Sequence, residues 1–150
     1  MRWSLRVLFL LLLIGLVLPV VAIDENRIGY VSFDQAKIQL EDGNARVEVD
    51  YTLDPGIPMI VLLFGAGDLQ KKVERSLNYP SLKADEVGLS SAVFTVDDVS
   101  ENYGNRAYWF SPHTFGVVFP QVKVIAPGFT MSYTWVDAIP KGFGFFGDAP

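Results

Sequence analysis

Residues 36–53, AKIQLEDGNARVEVDYTL, decide the fold class of this chain. Apolar and polar side chains alternate on both sides of Asp42-Gly43, and a period of two is typical of strands with one buried face. An Asp-Gly pair between two such runs is a strong signal for a tight turn. The stretch therefore predicts an antiparallel β-hairpin.

The register of this hairpin follows if Asp42-Gly43 is a two-residue loop. Three apolar pairs then share one face, and a pair of opposite charges lies on the other. A slip by one residue would move every side chain to the wrong face. The predicted pairs are Leu40–Ala45, Ile38–Val47, Ala36–Val49 and Lys37–Glu48.

The residues before the hairpin alternate in the opposite phase, with Val31 and Phe33 as the apolar positions. A β-bulge adds one residue to a strand and restores the phase. We therefore expect a bulge near Asp34-Gln35, or a break between two strands at that point.

The rest of the chain adds short strands and one helix. Leu69, Val73 and Leu77 form a stripe at helical spacing, which predicts one short α-helix at 68–78 that begins at Asp68 or Gly67. The apolar run 59–64 is interpreted as a buried strand, and 82–88 as a polar loop. Further strands are predicted at 91–96, 106–110, 115–119, 121–126 and 129–136.

Short strands at such spacing favour a mainly β fold, here an antiparallel β-sandwich, Ig-like or jelly-roll-like, with about seven or eight strands.

Residues 1–22 are interpreted separately, as a signal peptide. Arg2 and Arg6 precede an uncharged run, 7–21, and small residues lead to a cleavage point after Ala22. Residues 23–150 then form a single domain.

The alternative is an uncleaved N-terminal membrane anchor. The apolar run 7–23 has 17 residues, the lower limit for crossing a bilayer. Both readings place 23–150 outside the cytoplasm, secreted or exposed at the envelope, because the two arginines favour an N-terminus that stays inside.

Composition excludes several function classes. The chain has no cysteine, so disulfides, thiolate metal sites and lipid attachment to cysteine are excluded. Without Arg2 and Arg6, ten basic residues remain against seventeen acidic ones, which gives 23–150 a formal charge of −7. Such a surface repels nucleic acid and anionic lipid. No cofactor motif is present.

Polar candidates are few. His113 is the one histidine, and no nucleophile motif accompanies it, so we interpret it as a loop residue rather than a catalytic base. Asp97, Asp98 and Glu101 form a weak calcium candidate, because Ca²⁺ takes several oxygen ligands. Their spacing does not match an EF-hand, and a solvated acidic loop is the simpler interpretation.

Aromatic residues supply the binding candidates. Tyr108 and Trp109 are adjacent, so in a strand they face opposite sides and one is the more exposed. Tyr133 and Trp135 alternate on one face and are interpreted as core.

The C-terminal tail holds Phe143, Phe145 and Phe146. We expect at least one of these rings to pack back onto the fold. If all three are exposed, they mark a partner site.

Three hypotheses of function follow. The first is a non-catalytic β-sandwich that acts as a binding or assembly module, with a protein or glycan partner. The second is a carbohydrate-active enzyme that uses a pair of carboxylates. The third is an anchored subunit of a membrane-bound complex, which contacts the membrane only through 7–23.

Overall fold

The structure, a computed structural model, describes residues 24–147. The predicted signal peptide or anchor therefore lies outside the described residues. The strands are β1 Arg27–Ile28, β2 Val31–Glu41, β3 Asn44–Leu53, β4 Leu82–Val87, β5 Ser91–Val96, β6 Ser100–Asn102, β7 Ala107–Phe110, β8 His113–Ala126, β9 Phe129–Ile139 and β10 Phe143–Phe146. The helices within this range are α1 Ile57–Phe64 and α2 Gly67–Leu77.

The strands form two sheets, which confirms a mainly β fold. The larger sheet has the order β4-β5-β3-β2-β8-β9, and β1 pairs with β2. The smaller sheet has the order β10-β7-β6. One pair, β2 with β8, is parallel, so the larger sheet is mixed rather than purely antiparallel.

The hairpin β2–β3 has the predicted register at every pair. Leu40 faces Ala45 and Lys37 faces Glu48, with Nζ of the lysine 3.3 Å from the carboxylate. The register shifts between Phe33 and Gln35, which is the predicted bulge. The bulge brings both apolar phases of β2 onto one buried face.

One side of the larger sheet carries the core. Alternate side chains of β2, β3, β5 and β8 are buried there, and Phe33, Phe94 and Phe119 are fully enclosed. The side chains on the other face of these strands are half-buried or exposed. The core therefore lies on one side of the larger sheet, beneath the elements that pack on that side.

Helix α2 covers part of that side. Leu69, Val73 and Leu77 are fully buried, as their spacing predicted, and Asn78 ends the helix in a left-handed conformation. The helix lies very close to β8 at Gly116, where an added Cβ would be 2.2 Å from the carbonyl oxygen of Arg75. Only glycine permits this approach.

The prediction for residues 59–64 was wrong, because they belong to helix α1 and not to a buried strand. Short apolar runs do not distinguish the two structures by periodicity. Pro58 lies in the first turn of α1, where a proline is favoured because its missing N–H would have no partner within the helix.

The loop predicted at 82–88 is strand β4. Within residues 24–147 it pairs only with β5 and forms an edge of the sheet. Polar residues are common on edge strands, where they oppose pairing with other chains, so the hydrophobic alternation that marks a central strand is weak.

Two strands predicted at 115–119 and 121–126 are one continuous strand, β8. Pro120 lies inside it, and the fixed φ of proline is compatible with extended backbone. The register with β9 places Trp135 opposite this proline, between the pairs Phe119–Val136 and Gln121–Thr134.

The core assignment of Trp135 was wrong. Its side chain is 68% exposed, and its φ of +52° is unusual for a residue other than glycine. Such backbone interrupts the alternation of faces along β9. Tyr133, two residues earlier, is half-buried and packs against the core.

Candidate functional site

Helix α1 has the composition of a core element but lies at the surface. Its sequence is IPMIVLLF, and none of its eight residues is buried. Gly56 precedes it and Gly65 follows it, with φ values of +87° and +89°. Glycine adopts such positive φ values readily, so these two residues let the chain change direction at both ends of the helix.

The exposed side chains of α1 are large. Phe64 is 83% exposed and Leu62 71%, and Leu63, Met59 and Ile60 are also more than half exposed. At 3.6 residues per turn these five cover an arc of about 200°. Burying one such side chain contributes roughly 1.5–3 kcal/mol. Contiguous exposed apolar patches are uncommon on monomeric soluble proteins and are often interaction sites. The apolar α1 surface, as we define it, consists of Met59, Ile60, Leu62, Leu63 and Phe64.

The start of α1 is tied to the beginning of the described chain. Arg27 of β1 forms an ion pair with Asp54, the residue that follows β3. The amide of Asp54 donates to the carbonyl of Tyr30 at 3.0 Å, and the carbonyl of Asp54 accepts from Ile57 at 3.1 Å. Arg27 and Tyr30 therefore lie next to the residues that lead into α1.

A second polar cluster lies just beyond α1. The Tyr30 hydroxyl donates to Asp68 at 2.7 Å, and Lys72 Nζ lies 3.3 Å from the same carboxylate. Lys72 Nζ also lies 5.0 Å from the centroid of the Tyr30 ring. The tyrosine hydrogen bond, then Lys72, lowers the pKa of Asp68, and mainly burial raises the pKa of Tyr30 to about 12.

Polar contacts therefore flank α1 in the chain on both sides. Arg27 with Asp54, and Lys72 with Asp68, place paired charges at the two ends of the helix. We call these four residues the charged collar. Among residues 24–147, no helix is long and apolar enough to cross a membrane.

The tail phenylalanines divide into different environments. Phe145 is buried in the core, and Phe143 stacks on Phe110 with ring centroids 5.1 Å apart. Phe146 is 70% exposed. The expectation that at least one ring packs onto the fold is confirmed, because β10 pairs with β7 and directs Phe145 inward.

Tyr108 and Trp109 lie on opposite faces of β7. Tyr108 stacks on Phe145 at 5.5 Å, and Trp109 is the more exposed of the two. Trp109 pairs with Gly144, two residues from Phe146, so the two exposed rings belong to the outer face of the smaller sheet.

The calcium candidates are placed around the turn from β5 to β6. The amide of Asp98 donates to the Asn44 side chain at 3.1 Å, and Glu101 accepts from the Tyr103 hydroxyl at 2.9 Å. In the part of the chain that the structure describes, no three His, Asp or Glu side chains converge to form a metal site. Asp97, Asp98 and Glu101 are therefore not gathered into a ligand set.

His113 has structural contacts. Its ring stacks on Tyr79 with centroids 3.8 Å apart and planes 6° apart, and Nε2 lies 2.7 Å from the Leu77 carbonyl. Because a carbonyl only accepts, Nε2 carries the proton. Burial lowers the pKa of His113, and the Leu77 hydrogen bond opposes this effect in part.

A pocket of about 130 Å³ lies beside this stack, and Asp97, Asp98 and Ser111 contribute to its wall. A catalytic histidine needs one ring nitrogen for a nucleophile and the other for an orienting carboxylate. In His113 the Nε2 atom is hydrogen-bonded to the Leu77 carbonyl, so it is not paired with a nucleophile or a carboxylate.

Sequence reasoning missed the apolar α1 surface. A signal was present, since Pro58 and Gly65 bound the run as they often bound a helix. Nothing in the run itself shows whether the helix is covered. Comparison of the chain with protein-family models, with curated proteins and with solved structures found no match.

Proposed function

We propose that this protein is a secreted or envelope-exposed, non-catalytic binding or assembly module, and that it docks through α1. The observation that carries the proposal is the apolar α1 surface, in which five large side chains are exposed together. Exposing such a surface to water is unfavourable, and covering it with an apolar partner lowers the free energy.

The position of α1 outside the core supports this role. The fold has its own apolar cluster, to which β2, β3, β5 and β8 contribute, and most of α1 lies outside it. Val61 is the α1 residue that packs against that cluster. The apolar side chains at Leu62, Leu63 and Phe64 therefore have a use other than folding.

We further propose that the two sheets are the layers of a β-sandwich, Ig-like or jelly-roll-like, with one parallel pair. Phe110 and Phe145 of the smaller sheet belong to the same cluster as the larger sheet. Phe129 of β9 also contacts Phe143 of β10 edge to face, with centroids 5.5 Å apart. Both contacts support face-to-face packing of the sheets.

A second candidate is an anchored subunit of a membrane-bound complex. The Arg27–Asp54 pair favours it, because Arg27 follows the apolar run 7–23 by four residues in sequence and is joined to the segment that leads into α1. In this case docking through α1 would occur beside the membrane.

Cysteine protection in intact envelopes tests the proposed docking. The chain has no cysteine, so Leu62→Cys introduces one reactive thiol. We expect a water-soluble maleimide to label this thiol slowly in envelopes and rapidly after denaturation. The matched control is Leu89→Cys, an exposed leucine in the turn between β4 and β5, which should label rapidly in both states. Equal, rapid labelling of both positions in envelopes would reject the proposal.

A further inference from the structure

We infer that the partner of the apolar α1 surface is a lipid bilayer, with α1 lying in the boundary between headgroups and acyl chains. This inference rests on the proposed docking function and specifies its partner. It differs from a role for 7–23 alone, because α1 adds a second contact with the membrane from within the folded domain.

The width of the apolar α1 surface is the first argument. Its five side chains cover an arc of about 200°, whereas a helix that packs on one neighbouring helix needs a narrower stripe. Lipid chains surround such a surface without any matching shape. A helix that lies in the interface buries its apolar side about 5–10 Å deep.

The charged collar is the second argument. Asp54, which pairs with Arg27, precedes α1 in the chain, and Asp68, which pairs with Lys72, follows it. An apolar helix flanked in the chain by paired charges can place its side chains among the acyl chains while the charges stay among the headgroups. The pairing also limits the repulsion that Asp54 and Asp68 would otherwise exert on anionic headgroups.

The path of the chain is the third argument. The apolar run 7–23 ends four residues before Arg27, which is itself joined to Asp54. Four extended residues span at most about 14 Å. If 7–23 enters a bilayer, α1 is therefore held close to that bilayer's surface.

A second copy of the chain fits the surface less well. A helix of eight residues is about 12 Å long. A stable protein interface buries about 800 Å² on each partner. An interface of that size would therefore have to extend well beyond the eight residues of α1.

Spin-label accessibility tests the inference on the full chain. A nitroxide is attached to Leu63→Cys and, separately, to Leu62→Cys, which points about 100° away around the helix. Each protein is reconstituted in phosphatidylcholine vesicles, with Leu89→Cys as the matched control. Collision rates are measured with oxygen, which concentrates in lipid, and with a water-soluble nickel chelate.

We expect both α1 labels to collide often with oxygen and rarely with the chelate, so that the ratio is several-fold higher than at Leu89. Low rates with both reagents would show a protein contact, from 7–23 or a second copy. That result would overturn the lipid assignment and leave the docking function standing. High rates with the chelate at α1 would also overturn the lipid assignment, and the docking function would then stand or fall with the labelling of Leu62→Cys in intact envelopes.

Discussion

Arg27 and Asp54 form an ion pair that joins the first strand of the described chain to the segment that begins α1. The two residues are separated by 27 positions in sequence. Both side chains are partly exposed, so the pair contributes little to overall stability. Asp54 lies three residues before α1, so we expect the pair to restrain the position of the start of this helix.

Asp54→Asn should loosen α1 without unfolding the protein. Removing the charge weakens the bond with Arg27, and we expect a loss of at most about 1 kcal/mol in the free energy of unfolding. Amide exchange at 57–64 should become faster, as measured by hydrogen–deuterium exchange.

Glu48→Gln is the matched control, since it breaks the partly exposed pair with Lys37 on the hairpin. It should leave exchange at 57–64 unchanged. If Asp54→Asn also leaves that exchange unchanged, the pair does not hold α1.

The pH dependence of stability should include a contribution from His113. Burial lowers its pKa in the folded state, so below the ordinary value of about 6.5 the unfolded chain binds the proton more strongly. Stability is therefore retained above about pH 6.5 and falls as the pH drops from there towards the lowered pKa.

His113→Phe keeps a ring that can stack on Tyr79 and removes the titration. The variant loses the Leu77 hydrogen bond, at a cost of about 1 kcal/mol. We expect the stability difference between wild type and variant to shrink as the pH falls below about 6.5, measured by urea unfolding. A difference that stays constant across this range would show that His113 titrates alike in both states.

The hairpin was predictable because local and tertiary preferences agree there. Asp42-Gly43 favours the turn, and the alternation from Ala45 to Leu53 matches the buried face of the sheet. Helix α2 was predictable for the same reason, since its stripe of Leu69, Val73 and Leu77 is the face that packs. In these elements the positions that the sequence period marks as apolar are the positions that the tertiary structure buries.

The other elements depend on contacts that the sequence does not display. The apolar run 59–64 fits a strand and a helix equally well by its composition. Only the tertiary structure shows that it is a helix, α1, and that its side chains are exposed. Trp135 follows the alternation of β9 but has a positive φ opposite Pro120. The apolar α1 surface was missed because burial was inferred from hydrophobicity.

The tail should show a clear contrast between Phe145 and Phe146. Phe145→Ala empties a buried position and should cost about 3–5 kcal/mol. Phe146→Ala removes an exposed ring and should change the free energy of unfolding by less than about 0.5 kcal/mol. Chemical denaturation of both variants measures this contrast. Equal losses would contradict the placement of β10 against β7.

The central claim is that the apolar side chains of α1 serve contact with a partner and not the fold. The unfolding free energy of Leu63→Ala, compared with Leu69→Ala one helix later, tests this most directly. Leu69 is fully buried and Leu63 is 70% exposed. We expect Leu69→Ala to cost about 2–5 kcal/mol and Leu63→Ala less than about 0.5 kcal/mol. A loss at Leu63 as large as that at Leu69 would show that α1 belongs to the core and would contradict the claim.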